Sequence, residues 1–83
     1  MEVQDIEKLI NDALTLDELQ VKFDGSQCSV VAVADMFGDL SRVKRQQVVF
    51  AALSDAIKDG SIHAVTVKTF TTAQWQRDKL FNQ

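Results

Sequence analysis

His63 and Cys28 are the only histidine and the only cysteine in this sequence of 83 residues, and they are its candidates for chemistry. An imidazole and a thiolate together suit a soft or borderline metal, but closed zinc sites and iron–sulfur clusters take about four donors. The chain can therefore supply only half of a metal site, and another chain or a small thiol would supply the rest. The alternatives are a boundary histidine bonded to the backbone and a small, buried hydrophobic cysteine, which residue type alone favours for Cys28.

Catalysis is a weaker interpretation of the same two residues. A Cys–His nucleophile pair has no evident orienting group, oxyanion donors or substrate cleft in this sequence. A chain of this size buries about 60 to 65% of its extended surface on folding, which commits most of its apolar residues to one core. We therefore predict a single domain, residues 1–83, that is not an enzyme.

No apolar run is long enough for a bilayer and no signal-peptide pattern is present, so we also predict a cytoplasmic protein without membrane contact.

Charge is distributed unevenly along the chain. The formal net charge is -3, but the first 39 residues carry a net -7 and the remainder a net +4. Arg42, Lys44 and Arg45 crowd the first turns of a predicted helix, where the helix dipole disfavours cations. An acidic partner, a phosphate or nucleic acid would explain their placement. A solvated helix face with Asp39 as counter-charge explains it equally well.

Hydrophobic periodicity predicts the elements that position these residues. A 3.6-residue apolar period over the first 14 residues or so predicts an amphipathic helix. Alternation at 19–23 and a valine-rich run at 28–34 predict two strands, and turn-forming residues at 24–26 join them as an antiparallel hairpin.

A helical crossover is predicted after the hairpin. The second strand breaks at 37–39, and Ser41 is the predicted N-cap of a helical region that runs toward Lys58. Gly60 is a natural stop for this region. Its predicted buried stripe is Val43, Phe50, Leu53 and Ile57.

A third strand is predicted at 62–70, where apolar and polar residues alternate again. Two strands joined by a long helical crossover in one sheet lie parallel, so the second and third strands begin at the same end. This brings Cys28, the turn before it and His63 together, on strands about 5 Å apart if they are neighbours.

The last element carries the clearest local signal. Thr71 and Gln74 form a predicted capping box, and Phe70 can pack as a hydrophobic staple against Trp75, so a short C-terminal helix begins there. The order α-β-β-α(α)-β-α predicts an α+β fold, with a three-stranded mixed sheet and helices packed on one face.

The sequence contains FGDLSRVKRQQ at 37–47, IHAVTVK at 62–68 and TTAQW at 71–75. In this order and spacing the three motifs resemble the BolA family over essentially the whole chain, and the first two are most similar to its IbaG branch of bacterial proteins. The resemblance implies the αββααβα, KH-like fold. It also implies a heterodimer with a monothiol glutaredoxin of the CGFS type, while a homodimer is left open.

The resemblance further implies a metal site. In the BolA family the histidine of the I-H-A motif, here His63, ligates a 2Fe-2S cluster shared with the glutaredoxin, whose cysteine and bound glutathione supply the other thiolates. A second ligand comes from the loop between the first two strands. Gln27 stands at the family's histidine position, so Cys28, one residue later, is the expected second donor. Thr72 replaces the usual proline at the start of the last helix, and the capping box is kept.

The resemblance implies one alternative function. The family is also described as transcriptional or stress-response regulators, with the segment at 41–47 proposed to contact DNA. Here the expected contacts are Ser41, Arg42, Lys44, Arg45 and Lys68. Because the domain is acidic overall, such binding should be weak and strongly dependent on salt.

Overall fold

The computed structural model describes residues 1–81, and its elements follow the order αββααβα with one short 3-10 helix after the second strand. The elements in chain order are α1 (Val3–Ala13), β1 (Glu18–Phe23), β2 (Gln27–Val33), the 3-10 helix (Asp35–Asp39), α2 (Arg42–Ala52), α3 (Ser54–Lys58), β3 (Ala64–Phe70) and α4 (Thr72–Phe81).

The three strands form one mixed sheet in the order β1-β2-β3. β1 and β2 are antiparallel, and Phe23 pairs with Cys28 at the closed end of the hairpin. β2 and β3 are parallel, so Cys28 also pairs with Val65 near the beginning of β3. The predicted hairpin, the parallel crossover and the α+β fold are all confirmed.

The core lies between the sheet and the helices. Alternate side chains of the central strand β2, those of Cys28, Val30 and Ala32, are buried on one face. From α1, Ile6 and Ile10 lie one turn apart and are fully buried, as the apolar period of that helix predicts. Burial of these side chains is the main favourable term for a domain that has no disulfide.

The crossover consists of two helices that meet at Leu53. Ser41 caps α2 as predicted, since its hydroxyl accepts a hydrogen bond from the backbone N–H of Lys44 at 3.3 Å. The predicted buried stripe is wrong at two positions, because Val43 is 65% exposed and Ile57 is 38% exposed. On α2, Val43 stands seven residues before Phe50 and shares its row, whereas the buried Val49 lies on a row turned by about 100°. On α3 the buried side chain is that of Ala56, one residue before Ile57.

The predicted start of α4 is confirmed. The backbone N–H of Thr71 donates to Oε1 of Gln74 at 2.9 Å, and the backbone N–H of Gln74 donates to Oγ1 of Thr71 at 3.2 Å. The rings of Phe70 and Trp75 pack with centroids 5.3 Å apart. These contacts fix the direction in which α4 leaves the end of β3.

The break after β2 is a structural feature in its own right. The 3-10 helix there places Phe37 in the core, where it is the largest of the fully buried side chains.

None of the helices within residues 1–81 combines the length and the apolar character that a bilayer crossing needs. The cytoplasmic location stays a prediction.

A matched pair of valine substitutions tests the position of the buried row on α2. Val49→Ala should lower the free energy of unfolding by about 1.5 to 3 kcal/mol, because it removes two methyl groups from a fully buried side chain. Val43→Ala should change it by less than about 0.5 kcal/mol, since Val43 is largely exposed and alanine favours a helix. Urea titrations of both variants give the comparison, and equal losses would contradict this packing.

Candidate functional site

The turn between β1 and β2 is organised by one carboxylate. Oδ1 of Asp24 accepts hydrogen bonds from the backbone N–H groups of Gln27 at 2.7 Å and Ser26 at 2.9 Å. The bond from Gln27, followed by that from Ser26, holds the pKa of the Asp24 carboxyl below its usual value. Gly25 has φ of +97°, a left-handed conformation that a glycine adopts without strain. The turn therefore presents Ser26 and Gln27 in a defined backbone conformation.

A second turn connects α3 to β3. Oδ1 of Asp59 accepts a hydrogen bond from the backbone N–H of Ser61 at 2.8 Å, and Gly60 has φ of +83°. Ile62, which is buried, donates its backbone N–H to the carbonyl oxygen of Ala56 at 3.2 Å. The residue after this anchor is therefore held at the boundary between the core and the surface.

That residue is His63, and the hairpin turn holds its backbone. The carbonyl oxygen of Ser26 accepts hydrogen bonds from the backbone N–H of His63 at 2.9 Å and from that of Ala64 at 3.3 Å. The His63 side chain is exposed, and its ring makes no hydrogen bond or ion pair with the backbone of residues 1–81 or with the side chains of residues 1–78. The geometry thus gives a fixed backbone with an imidazole that is open to a second molecule.

Cys28 is at the same end of the sheet, but its side chain lies in the core. It is 2% exposed and packs among the buried residues of β2 and its neighbours. Burial raises the pKa of its thiol, so the thiolate that a metal requires is disfavoured. In this conformation Cys28 acts as a small hydrophobic residue. Its role as second metal ligand stays a prediction, and its burial weighs against that role.

The two hairpin residues whose backbone lies beside His63 and Ala64 have side chains that are poor metal ligands. Ser26 and Gln27 are exposed, and Gln27 pairs with Ala64, one position before the pair of Cys28. Since side chains alternate along a strand, Gln27 and Cys28 lie on opposite faces of the sheet. Within residues 1–81 no group of three His, Cys, Asp or Glu side chains is arranged to hold a metal. This end of the sheet therefore offers one available imidazole and no complete site.

The five residues predicted to contact DNA divide into two kinds. The hydroxyl of Ser41 is engaged as a helix cap, and Arg45 donates to the carbonyl oxygen of Leu40 at 3.1 Å and to Oε1 of Gln74 at 3.3 Å. These two residues hold parts of the fold together. The other three, Arg42, Lys44 and Lys68, have exposed side chains.

A groove of about 400 Å³ lies beside these basic residues, bounded by α2, the second half of β3 and α4. Four basic side chains line it, together with the acidic side chain of Asp78. One of the four, Arg77, was not among the residues predicted from the sequence, and its position three residues after the capping Gln74 places both on one side of α4. The basic residues that line the groove are Arg42, Arg45, Lys68 and Arg77.

Comparisons with known proteins agree with this fold. A family model described as BolA-like protein matches residues 17–74. Acid stress protein IbaG of Escherichia coli is 44% identical over 82 residues, which cover 99% of this chain and 98% of that protein. A Bol-like protein from Babesia bovis superimposes with a TM-score of 0.82 at 20% identity, covering 95% of this chain and 94% of that one. The BolA domain of SufE1 from Arabidopsis thaliana has a TM-score of 0.75 at 26% identity, with coverage of 84% and 91%.

Thiol labelling tests the position of Cys28. With DTNB at mildly alkaline pH, the folded protein should react about 100-fold more slowly than the chain unfolded in guanidinium chloride, because the thiol is buried and its pKa is raised. The absorbance of the released thiolate measures both rates. A folded-state rate equal to that of the unfolded chain would show an accessible sulfur and would favour the ligand role.

Proposed function

The chain belongs to the BolA family, in its IbaG branch, and from this premise we propose that it is an adaptor in iron–sulfur cluster handling that pairs with a monothiol glutaredoxin. In this pairing His63 donates its imidazole to a 2Fe-2S cluster that the two proteins share. The cysteine of the glutaredoxin and its bound glutathione supply thiolates from the other side. The observation that carries the proposal is the exposed ring of His63 on a backbone fixed by Ser26.

The donor set of this end of the sheet supports a shared site over a private one. One imidazole is available, the nearby Ser26 and Gln27 are poor ligands, and no group of three potential ligands is found in residues 1–81. A cluster needs about four donors, so most must come from a partner. Two hydrogen bonds to the carbonyl of Ser26 fix the backbone beside His63, which reduces the entropy lost when the ring becomes a ligand.

Cys28 has a different status in the proposal. To reach a metal, its sulfur would have to leave the core, and the pairing of Cys28 with Phe23 and with Val65 would have to open. Opening these pairs would destabilise β2, the central strand of the sheet. We therefore assign direct donation to His63, and Cys28 becomes a second donor only if loss of its sulfur abolishes cluster binding.

Imidazole ligation gives the shared cluster two properties. Replacing thiolate by imidazole raises the reduction potential of a 2Fe-2S cluster. A histidine ligand must also be neutral, so metal binding competes with protonation of the ring. Retention of the cluster should consequently fall under acidic conditions. This gives a physical route to an acid response, the role that the name of the Escherichia coli relative states for that protein.

Cluster reconstitution tests the assignment. The protein is mixed anaerobically with a CGFS glutaredoxin, glutathione, iron and sulfide, and visible circular dichroism is recorded. His63→Ala should abolish the spectrum of the mixed complex, because the ligand from this chain is lost. Cys28→Ala and Gln27→Ala should keep that spectrum, since one side chain is buried and the other is a poor ligand.

Two outcomes of this experiment would change the proposal. An unchanged spectrum for His63→Ala would contradict the ligand assignment. Loss of the spectrum with Cys28→Ala, in a variant whose unfolding midpoint equals that of the wild type, would establish Cys28 as the second donor. Far-ultraviolet circular dichroism and the unfolding midpoint of each variant separate lost ligation from lost folding.

DNA binding is a second candidate, favoured by the exposed side chains of Arg42, Lys44 and Lys68. It ranks lower because Ser41 and Arg45 are engaged within the fold. If it holds, affinity for duplex DNA should fall linearly with log salt, and Lys44→Gln should reduce that slope by about one unit. Fluorescence anisotropy over a range of salt concentrations measures the slope. No binding at low salt would eliminate this function.

A further inference from the structure

β3 is an edge strand, and part of its backbone has no strand partner. The backbone N–H of Ala64 donates to Ser26, and the carbonyl oxygen of Phe70 accepts from Ala34. In a parallel pair the residues that bond to the neighbouring strand alternate, so the N–H and C=O groups of Val67 and Thr69 point away from β2. No hydrogen bond reaches them from the turns and caps of residues 1–81 or from the side chains of residues 1–78.

The free edge of β3 forms the floor of the basic groove. Val67 and Thr69 line it together with residues of two helices, Arg42 from α2 and Arg77 from α4. The guanidinium of Arg45 joins the two helices, because it donates to the backbone before α2 and to the capping Gln74 of α4. The groove thus has two walls held at a fixed separation and a floor of unpaired backbone groups.

The charge of the groove selects its occupant. Its lining includes four basic side chains against the carboxylate of Asp78, in a protein that is acidic overall. A guanidinium group binds a carboxylate in a bidentate geometry. Acidic side chains are therefore the groups that best complement the walls.

We propose that this groove binds an extended, acidic segment of a partner protein, which adds to β3 as a fourth strand and places carboxylates against Arg42 and Arg77. The unpaired edge offers both N–H donors and C=O acceptors, and a polypeptide backbone complements both. A phosphodiester backbone offers acceptors alone, so a nucleic acid could satisfy the carbonyl groups of Val67 and Thr69 only through its bases, whereas a peptide backbone presents donors and acceptors at the spacing of a strand. The floor of the groove therefore favours a peptide over nucleic acid.

A second copy of this chain is a poor occupant. Pairing of β3 with β3 about a two-fold axis would set the basic side chains of one groove, those of Arg42, Lys68 and Arg77, beside the same side chains of the other. Like charges in such positions repel. Exposed basic residues beside an edge also prevent unselective strand pairing, so the same charges that admit an acidic segment exclude neutral and basic ones.

The groove is separate from the proposed cluster site. His63 precedes β3, whereas the groove lies along its second half, about 13 to 23 Å away at the rise of an extended strand. The acidic segment can thus belong to the glutaredoxin or to another protein. Its binding does not depend on the proposed role of His63.

A peptide with selectively blocked amides tests strand addition. The test peptide alternates glutamate and valine, has blocked ends and carries a fluorophore, and its binding to the chain of 83 residues is followed by anisotropy at low salt. Two versions are N-methylated, one on the glutamate amides and one on the valine amides. One version should bind within about twofold of the parent, and the other should lose about tenfold or more, because only alternate amides face β3.

Variants of the protein locate the binding surface. Arg42→Gln and Arg77→Gln should each weaken the peptide about two- to fivefold, as exposed charge contacts do. Lys58→Gln, the same change of charge on α3, and Lys44→Gln, outside the groove lining, should leave its affinity unchanged. In the complex, hydrogen exchange of the amides of Val67 and Thr69 should slow. His63→Ala should bind the peptide like the wild type, so failure of the cluster proposal and failure of this one are distinguishable.

Three outcomes would overturn the proposal. Equal binding of the two N-methylated peptides would show that charge alone is recognised. Equal affinity for a peptide with glutamine in place of glutamate would remove the role of the basic walls. Displacement of the peptide by duplex DNA, together with equal binding of the N-methylated forms, would identify a general polyanion surface.

Discussion

The parallel pairing of β2 with β3 is the constraint on which the placement of both sites depends. Parallel neighbours require a crossover, here supplied by α2 and α3, and they begin at the same end of the sheet. At that end Ser26 meets His63. At the other end the N-terminus of α2 and the N-terminus of α4 meet through Arg45 and Gln74. One pairing thus gives the domain two ends with different chemistry.

Gln74 connects the backbone of one element to the side chain of another. Its side-chain oxygen Oε1 accepts from the backbone N–H of Thr71 and from the guanidinium of Arg45, while its backbone N–H donates to the hydroxyl of Thr71. The cap of α4 and the position of α2 are therefore coupled. Loss of the Gln74 side-chain amide would destabilise both helices. The guanidinium of Arg45 at α2 and the backbone N–H of Thr71 at α4 would each lose a hydrogen-bond acceptor.

Much of this arrangement could be predicted from the sequence, and the exceptions have physical causes. The crossover rule placed His63 beside the hairpin turn, because it depends on element order alone. The burial of Cys28 was not decided by sequence, since a valine-rich central strand has apolar residues on both faces and its alternation is hidden. The exposure of Val43 was missed because its row borders the buried one. Arg77 was missed because its significance arises only when α4 is placed beside β3.

The carbonyl oxygen of Ser26 has a further consequence for the hairpin loop. Exposed loops usually tolerate insertions, which makes them the customary places for epitope tags and reporter domains. This loop differs, because one of its carbonyl groups holds the first residues of a strand that is distant along the chain. An inserted residue would separate the turn from His63 or shift β2 against β3 by one position, which turns side chains to the opposite face. This exposed loop is therefore one whose length must be left unchanged.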